Sequence, residues 1–394
     1  MHRLLVIFSV VIFLLSGCGQ NADNQTKQIS TSALPLVTSR QSDINTLMKS
    51  LHNENVGVVQ WVIRYAGNNK VLFSNERYLL SYDQIKQEII GAVNLQAIDG
   101  GLIQGSDVTF FDISPDGNSV IINNGCLDES TPCKYKMYAY DIEKATLSQI
   151  DEQNYTSLIT SWSNNSLYYV YAEKTSHNLK IIKRGAGTTQ TVSIPSGKIK
   201  SLYVSDTGDV IVNIDQKYLI SSEKDYASTK KLPLSGELLG FRNGAILYLK
   251  DGNIRSFTSE KDIKMKTIGK SYHQINSKNG GAMFTDNSTF LAYRYIDNKT
   301  FTFDGIEPKL SGFWSLSPNQ ERLFVVDGSK YEVIDHNGNS MEIPAIYSYD
   351  CKWLDDNMLV QICPTHENPK VGDFKILGYN LDTQKETTLR ENSQ

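Results

Sequence analysis

The sequence predicts an all-β protein, a β-propeller of about eight four-stranded blades preceded by a short helix. Three observations predict it. A strand–turn–strand unit recurs through most of the chain, its turns keep a near-constant spacing, and a third apolar strand follows each unit. The unit is clearest at Phe313-Trp314-Ser315-Leu316-Ser317-Pro318-Asn319-Gln320-Glu321-Arg322-Leu323-Phe324-Val325-Val326-Asp327. Aromatic residues enter a polar turn and a β-branched run leaves it. Proline presets φ in the turn, Asn can cap its own backbone, and Leu323 to Val326 reads as a strand buried on both faces.

The unit returns at Phe111 to Ile122, Trp162 to Val170 and Leu202 to Val212, and more weakly at Trp61 to Phe73, Phe241 to Leu249, Met283 to Tyr293 and Trp353 to Val360. Third strands often end in Asp, as in Tyr78 to Asp83, Met137 to Asp141, Phe301 to Asp304 and Tyr331 to Asp335. Turns near Asn68, Asp116, Asn164, Asp206, Asn243, Asp286, Asn319 and Asp355 lie roughly 41 residues apart, the period of a four-stranded blade. One blade cannot cover both its faces, so the blades must stack around an axis. Eight copies give eight blades, or seven if a terminal copy completes its neighbour. Trp61, Trp162, Trp314 and Trp353 recur at repeat positions and are expected to pack between blades.

The aromatic-x-x-Ser-Pro-Asp-Gly form at 111 to 122 and 314 to 326 resembles the repeats of TolB-type and dipeptidyl-peptidase-type (WD40-like) propellers. That resemblance implies architecture over about 54 to 391 and carries no function with it.

With 394 residues the chain could hold two or three domains, but the repeat assigns most of it to one, residues 54–394. The composition, 40% hydrophobic and 21% charged, supports a sizeable core. A net charge of −4 and no basic run argue against nucleic acid as a partner.

The N-terminus carries a second signal. Met1-His2-Arg3 is positive, and Leu4 to Leu15 is apolar but too short for a bilayer span of about 20 residues. Leu15-Ser16-Gly17-Cys18 resembles a bacterial lipobox. By that resemblance, residues 1–17 are a signal peptide cut before Cys18, which then carries diacylglycerol and a further acyl chain such as palmitate. Several acyl chains anchor stably where one does not. The resemblance further implies a cell-envelope lipoprotein. In a Gram-negative cell, Gly19 in place of Asp implies the outer membrane, on its periplasmic side. Residues 18–39 are rich in Gln, Asn, Ser and Thr and read as a flexible tether. In the stretch 40–53, Ser42 or Asp43 can cap a helix whose Ile44, Leu47, Met48 and Leu51 share one apolar face. That helix is expected to dock on the propeller.

Five Cys are present, and removal of Cys18 leaves four. Cys126 and Cys133 bracket one loop, and Cys351 and Cys363 flank one hairpin, so disulfides 126–133 and 351–363 are expected in an exported protein. No Cys-x-x-Cys or ligand-spaced His cluster is present, and no metal or cofactor is expected.

No catalytic residues are assigned, and the balance is against an enzyme. The sequence contains no Gly-x-Ser-x-Gly elbow, no phosphate-binding Gly loop and no EF-hand loop. The chain ends soon after the last copy, so no hydrolase domain like that of some peptidase-type propellers is expected. The functional expectation is a monomeric, lipid-anchored scaffold for envelope proteins, its partners unnamed. The alternative is a small-ligand or glycan site, with or without catalysis, in the central channel, where some of the 21 Tyr could stack on sugars.

Overall fold

A computed structural model describes residues 36–53, 61–75, 77–98, 107–126, 133–155, 157–186, 189–258, 261–278, 281–286, 289–303, 313–327, 330–344, 351–365 and 372–392. Residues 35–394 form one compact unit. It is a ring of eight four-stranded antiparallel blades. Blade 1 spans 62–94, and blades 2 to 8 span 107–155, 158–193, 199–231, 237–267, 273–303, 313–342 and 352–392. The first and last copies of the unit therefore each build their own blade.

Every blade is a meander of consecutive strands. First strands of neighbouring blades touch, among them Val62–Gly67 with both Asp107–Ile113 and Lys352–Trp353, so they lie around the axis. Second strands such as Gly281–Thr285 are buried throughout. Fourth strands such as Asp225–Lys231 and Lys385–Asn392 are largely exposed and form the rim. The meander puts the turns between strands 1 and 2 and between strands 3 and 4 on one face, here the lower. The turns between strands 2 and 3 and the blade-to-blade connections lie on the upper face.

One copy is displaced from the expected register. Met283 to Tyr293 forms the second and third strands of blade 6, because His273–Lys278 is its first strand. Asp286 thus lies in an upper turn, and Phe301 belongs to the fourth strand, not the third. The first strand of this blade, His273–Lys278, carries Ile275 as its one apolar residue, so the apolar pattern begins only at the second strand.

The helix forms at Gln41–Asn53, against the fourth strand of blade 1. Ile44, Leu47, Met48 and Leu51 are no more than 5% exposed. The helix begins one residue before Ser42, so neither Ser42 nor Asp43 caps it. Asp43 sits in the first turn and accepts a hydrogen bond from the Thr38 hydroxyl at 3.2 Å. Just upstream, Val37–Thr38 adds a fifth strand to the rim of blade 1.

Among the described residues no strand is exchanged to close the ring. Blades 8 and 1 meet through side chains: Trp61, Phe73 and Phe374 form a triangle with ring centroids 5.1 to 5.4 Å apart. The Tyr82 hydroxyl donates to the Leu389 carbonyl at 2.7 Å, and Arg390 donates to the Gln87 carbonyl at 3.4 Å. The other three Trp also pack between blades, Trp162 on the core shared by blades 2 and 3, Trp314 beside Phe290, and Trp353 in the core shared by blades 7 and 8.

Candidate functional site on the lower face

The lower face is built from one repeated turn. Ser114, Ser163, Ser205 and Ser317 are each buried at the end of a first strand. In each turn the Ser hydroxyl accepts from the N–H that opens the second strand, at 2.9 Å for Ser119 and Tyr168 and 3.1 Å for Arg322. It also donates to an Asx side chain two residues on, at 2.6 Å for Asp116 and 2.7 Å for Asn165 and Asn319. In the blade 4 turn Thr207 takes the Asx place, 2.8 Å from Ser205.

The fourth turn position is left-handed. Gly117 and Gly208 fill it in two turns, as φ > 0 favours. Ser166 and Gln320 fill it in the other two, and each uses its side chain against the preceding blade. Ser166 accepts from the Asp116 N–H at 2.9 Å, and Gln320 packs where Gly281 has no Cβ.

The turns are also tied to one another. The Asn165 N–H donates to Asp206 at 2.8 Å, the Asn319 N–H to Asp356 at 2.7 Å, and the Tyr65 hydroxyl to the Pro115 carbonyl at 3.0 Å. Arginines add ion pairs across blade boundaries. Arg184 meets Asp116 at 2.7 Å and Arg294 meets Glu321 at 3.0 Å. Arg322 reaches Asp382 at 3.3 Å. Burial pushes the Asp116 carboxyl up, but hydrogen bonds from Ser114 and the Asn118 N–H, with the Arg184 charge, outweigh it and hold its pKa below the usual range. The hydrogen bond and charge of the Arg294 guanidinium bring Asp297 down to about 2.

Two apolar side chains stand out of this polar mesh. Ile85 is 76% exposed and Ile296 is 80% exposed. Both occupy the second position of a strand 3–4 turn, where blades 2, 3, 7 and 8 carry Glu143, Gly185, Asn337 and Asp382. Leu167, in the strand 1–2 turn of blade 3, is a third exposed apolar residue of this face.

In the central channel, two polar groups of the first strands are spent on neighbouring blades. The Thr160 hydroxyl donates to Asp112 at 2.6 Å, and the Trp353 indole donates to the Ser315 carbonyl at 3.1 Å. Arg64 lies 5.2 Å from the Phe111 ring and Lys352 lies 5.4 Å from the Phe313 ring. Phe110 and Ile275 remain partly exposed on first strands. A cleft of about 520 Å³ opens beside the helix start, lined by Lys70, Lys86, Asp83, Glu88 and Glu143, a mixture of charges. Among the described residues no cluster of His, Cys, Asp and Glu could hold a metal ion.

Of the residues singled out in the sequence, Cys18 and the side chains of Cys126 and Cys133 lie outside the described residues. Cys351 and Cys363 share the core of blades 7 and 8 but are free thiols, so the expected 351–363 bridge is not formed in this structure. The first strand of blade 8 is only Lys352–Trp353, with Lys352 opposite Val360. Cys363 lies beyond that pairing, opposite Lys375 of the third strand, whereas a bridge needs Cβ atoms about 3.5–4.5 Å apart. Sequence reasoning missed Ile85 and Ile296. Their signal was an Ile at the tip of an otherwise polar turn.

No family model matches the chain, and no curated protein does. Solved structures do resemble it. Apo AztD from Citrobacter koseri is 11% identical with a TM-score of 0.49, covering 84% of this chain and 94% of its own. PorZ, a surface component of the type-IX secretion system of Porphyromonas gingivalis, is 13% identical with a TM-score of 0.45, over 84% of this chain and 46% of its own. Hsv2 from Kluyveromyces lactis is 15% identical with a TM-score of 0.42, over 73% of this chain and 98% of its own. At these identities and TM-scores the likeness leaves activity and partners unassigned.

Proposed function

We propose that this chain is a lipid-anchored envelope β-propeller that acts as a protein-interaction scaffold. The observation that carries the reading is the lower face, where a mesh of Ser/Asx turns and ion pairs holds Ile85 and Ile296 almost fully exposed at equivalent turn tips. Stiff, isolated apolar groups on a polar surface suit docking of a protein, with little ordering cost on binding. The lipobox-like Leu15-Ser16-Gly17-Cys18 supports the anchor. Photo-crosslinking residues placed at 85 and at 296 in the full-length protein should trap the same envelope protein in intact membranes. A rim control at Ile263 should not trap it. Adducts no stronger than at 263 would refute the reading. Separately, Cys18→Ser should release the protein from the membrane fraction.

The second reading places a small ligand or glycan in the channel, on the partly exposed Phe110 and Ile275. It expects a thermal shift with an envelope glycan that Phe110→Ala abolishes; a flat response across such glycans would dispose of it.

A further inference from the structure

The ring is electrically lopsided. Residues 158–270, blades 3 to 5 with their connections, carry 17 Lys and Arg against 10 Asp and Glu, while the whole chain carries 39 against 43. The excess has a face. At the lower ends of these blades three cations are ion-paired, Arg184 with Asp116 at 2.7 Å, Lys183 with Glu223 at 3.4 Å and Arg255 with Asp262 at 3.0 Å, and Lys224 and Lys261 are the lysines there outside any ion pair among the described residues. At the upper ends the lysines project from turns and strand ends. Lys217 and Lys250 flank strand 2–3 turns, and Lys198, Lys230, Lys231 and Lys270 lie in or beside the blade-to-blade connections. All six are exposed, and none makes an ion pair among the described residues. The acids on this face, Glu173, Asp215, Glu237 and Asp251, are too few to neutralise them.

The N-terminal segment joins the ring on the same face. Val37 pairs with Val93, and the Leu36 carbonyl accepts from the Asn94 N–H at 3.0 Å, at the upper end of the last strand of blade 1. The described chain therefore enters the ring at its upper face.

From these two observations we propose that the upper face of blades 3 to 5 lies against the phosphate headgroups of an anionic lipid surface. Each lysine near such a surface contributes about fivefold in partitioning. The orientation leaves Ile85 and Ile296 pointing away from the lipid, so it extends the scaffold reading without depending on it.

The test uses residues 36–394, which contain the helix and every blade, with vesicles of neutral phosphatidylcholine or of phosphatidylcholine with a third phosphatidylglycerol. Sedimentation should show binding to the anionic vesicles alone, falling steeply with salt. Lys230→Gln with Lys231→Gln should weaken it roughly 25-fold. Lys86→Gln with Lys385→Gln, on lower turns, should leave it unchanged. Equal binding to neutral vesicles, or equal loss from both pairs, would overturn the proposal. Binding to polyglutamate but not to vesicles would also overturn it, in favour of an acidic protein partner. The crosslinks at 85 and 296 read the opposite face, so failure of either reading is separately visible.

Discussion

Phe374→Ala should open the ring at one place. Phe374 is fully buried and contacts Trp61 at 5.4 Å and Phe73 at 5.1 Å, both across the boundary between the last blade and the first. Truncating a buried Phe costs about 3–5 kcal/mol, a large share of a typical folding free energy of about 5–15 kcal/mol. With no strand exchanged there, the remaining ties include the Tyr82 and Arg390 hydrogen bonds to backbone carbonyls. Each such bond contributes only about 1 kcal/mol net. The loss should therefore be concentrated at this boundary. Urea unfolding should show the global loss. Native-state hydrogen exchange should show amides of blades 1 and 8 losing protection first, through an opening cheaper than global unfolding. Phe303→Ala, equally buried in the core shared by blades 6 and 7, is the control. It should cost a similar amount globally without singling out blades 1 and 8. A global loss under about 1 kcal/mol, or protection lost evenly over all eight blades, would refute the argument.

Ser317→Ala should cost about 1–3 kcal/mol in urea unfolding, because it strips the Arg322 N–H and Asn319 of a buried partner. Asp116 is depressed in the folded state, so its contribution is complete above about pH 4, the ordinary carboxylate value, and is lost as pH falls through the lower folded value. Melting temperatures from pH 5 down to 2 should accordingly fall less steeply in Asp116→Asn than in the wild type. Gly252→Ala should lower the melting temperature by several degrees, since φ there is +70° and an added Cβ would press on the backbone of Gly269 and Lys270. Mass spectrometry after iodoacetamide should find Cys351 unmodified in the native protein and modified in urea, because burial pushes its thiol far up. Cys363, half-buried, should react slowly in the native state.

The architecture was legible because each blade must solve the same local problem. Ser114-Pro115-Asp116-Gly117 and Ser317-Pro318-Asn319-Gln320 write turn chemistry directly into the sequence, and the apolar runs after them can only be buried strands. The helix was legible from the spacing of Ile44, Leu47, Met48 and Leu51. The register of blade 6 was not, because its first strand, His273–Lys278, is polar apart from Ile275 and leaves the apolar pattern to the second and third strands. The lower-face contacts were hidden for a related reason: Arg184 finds Asp116, and Ser166 finds the Asp116 N–H, only once two blades stand side by side. The candidate docking residues left a faint trace, since Ile85 and Ile296 are ordinary residues in an unusual place.

Because the four meander strands of every blade are consecutive and, among the described residues, none is borrowed from another blade, the ring has no privileged starting point. Each hairpin can form as its residues emerge during synthesis, against a neighbour already made. Only the last step joins residues more than 300 apart, Tyr82 to Leu389. The rim strands that carry Val37 and Glu391 belong to adjoining blades, so a linker could fuse these ends and new termini could be cut at another blade boundary. Such a rearranged chain should draw the same circle from a different point.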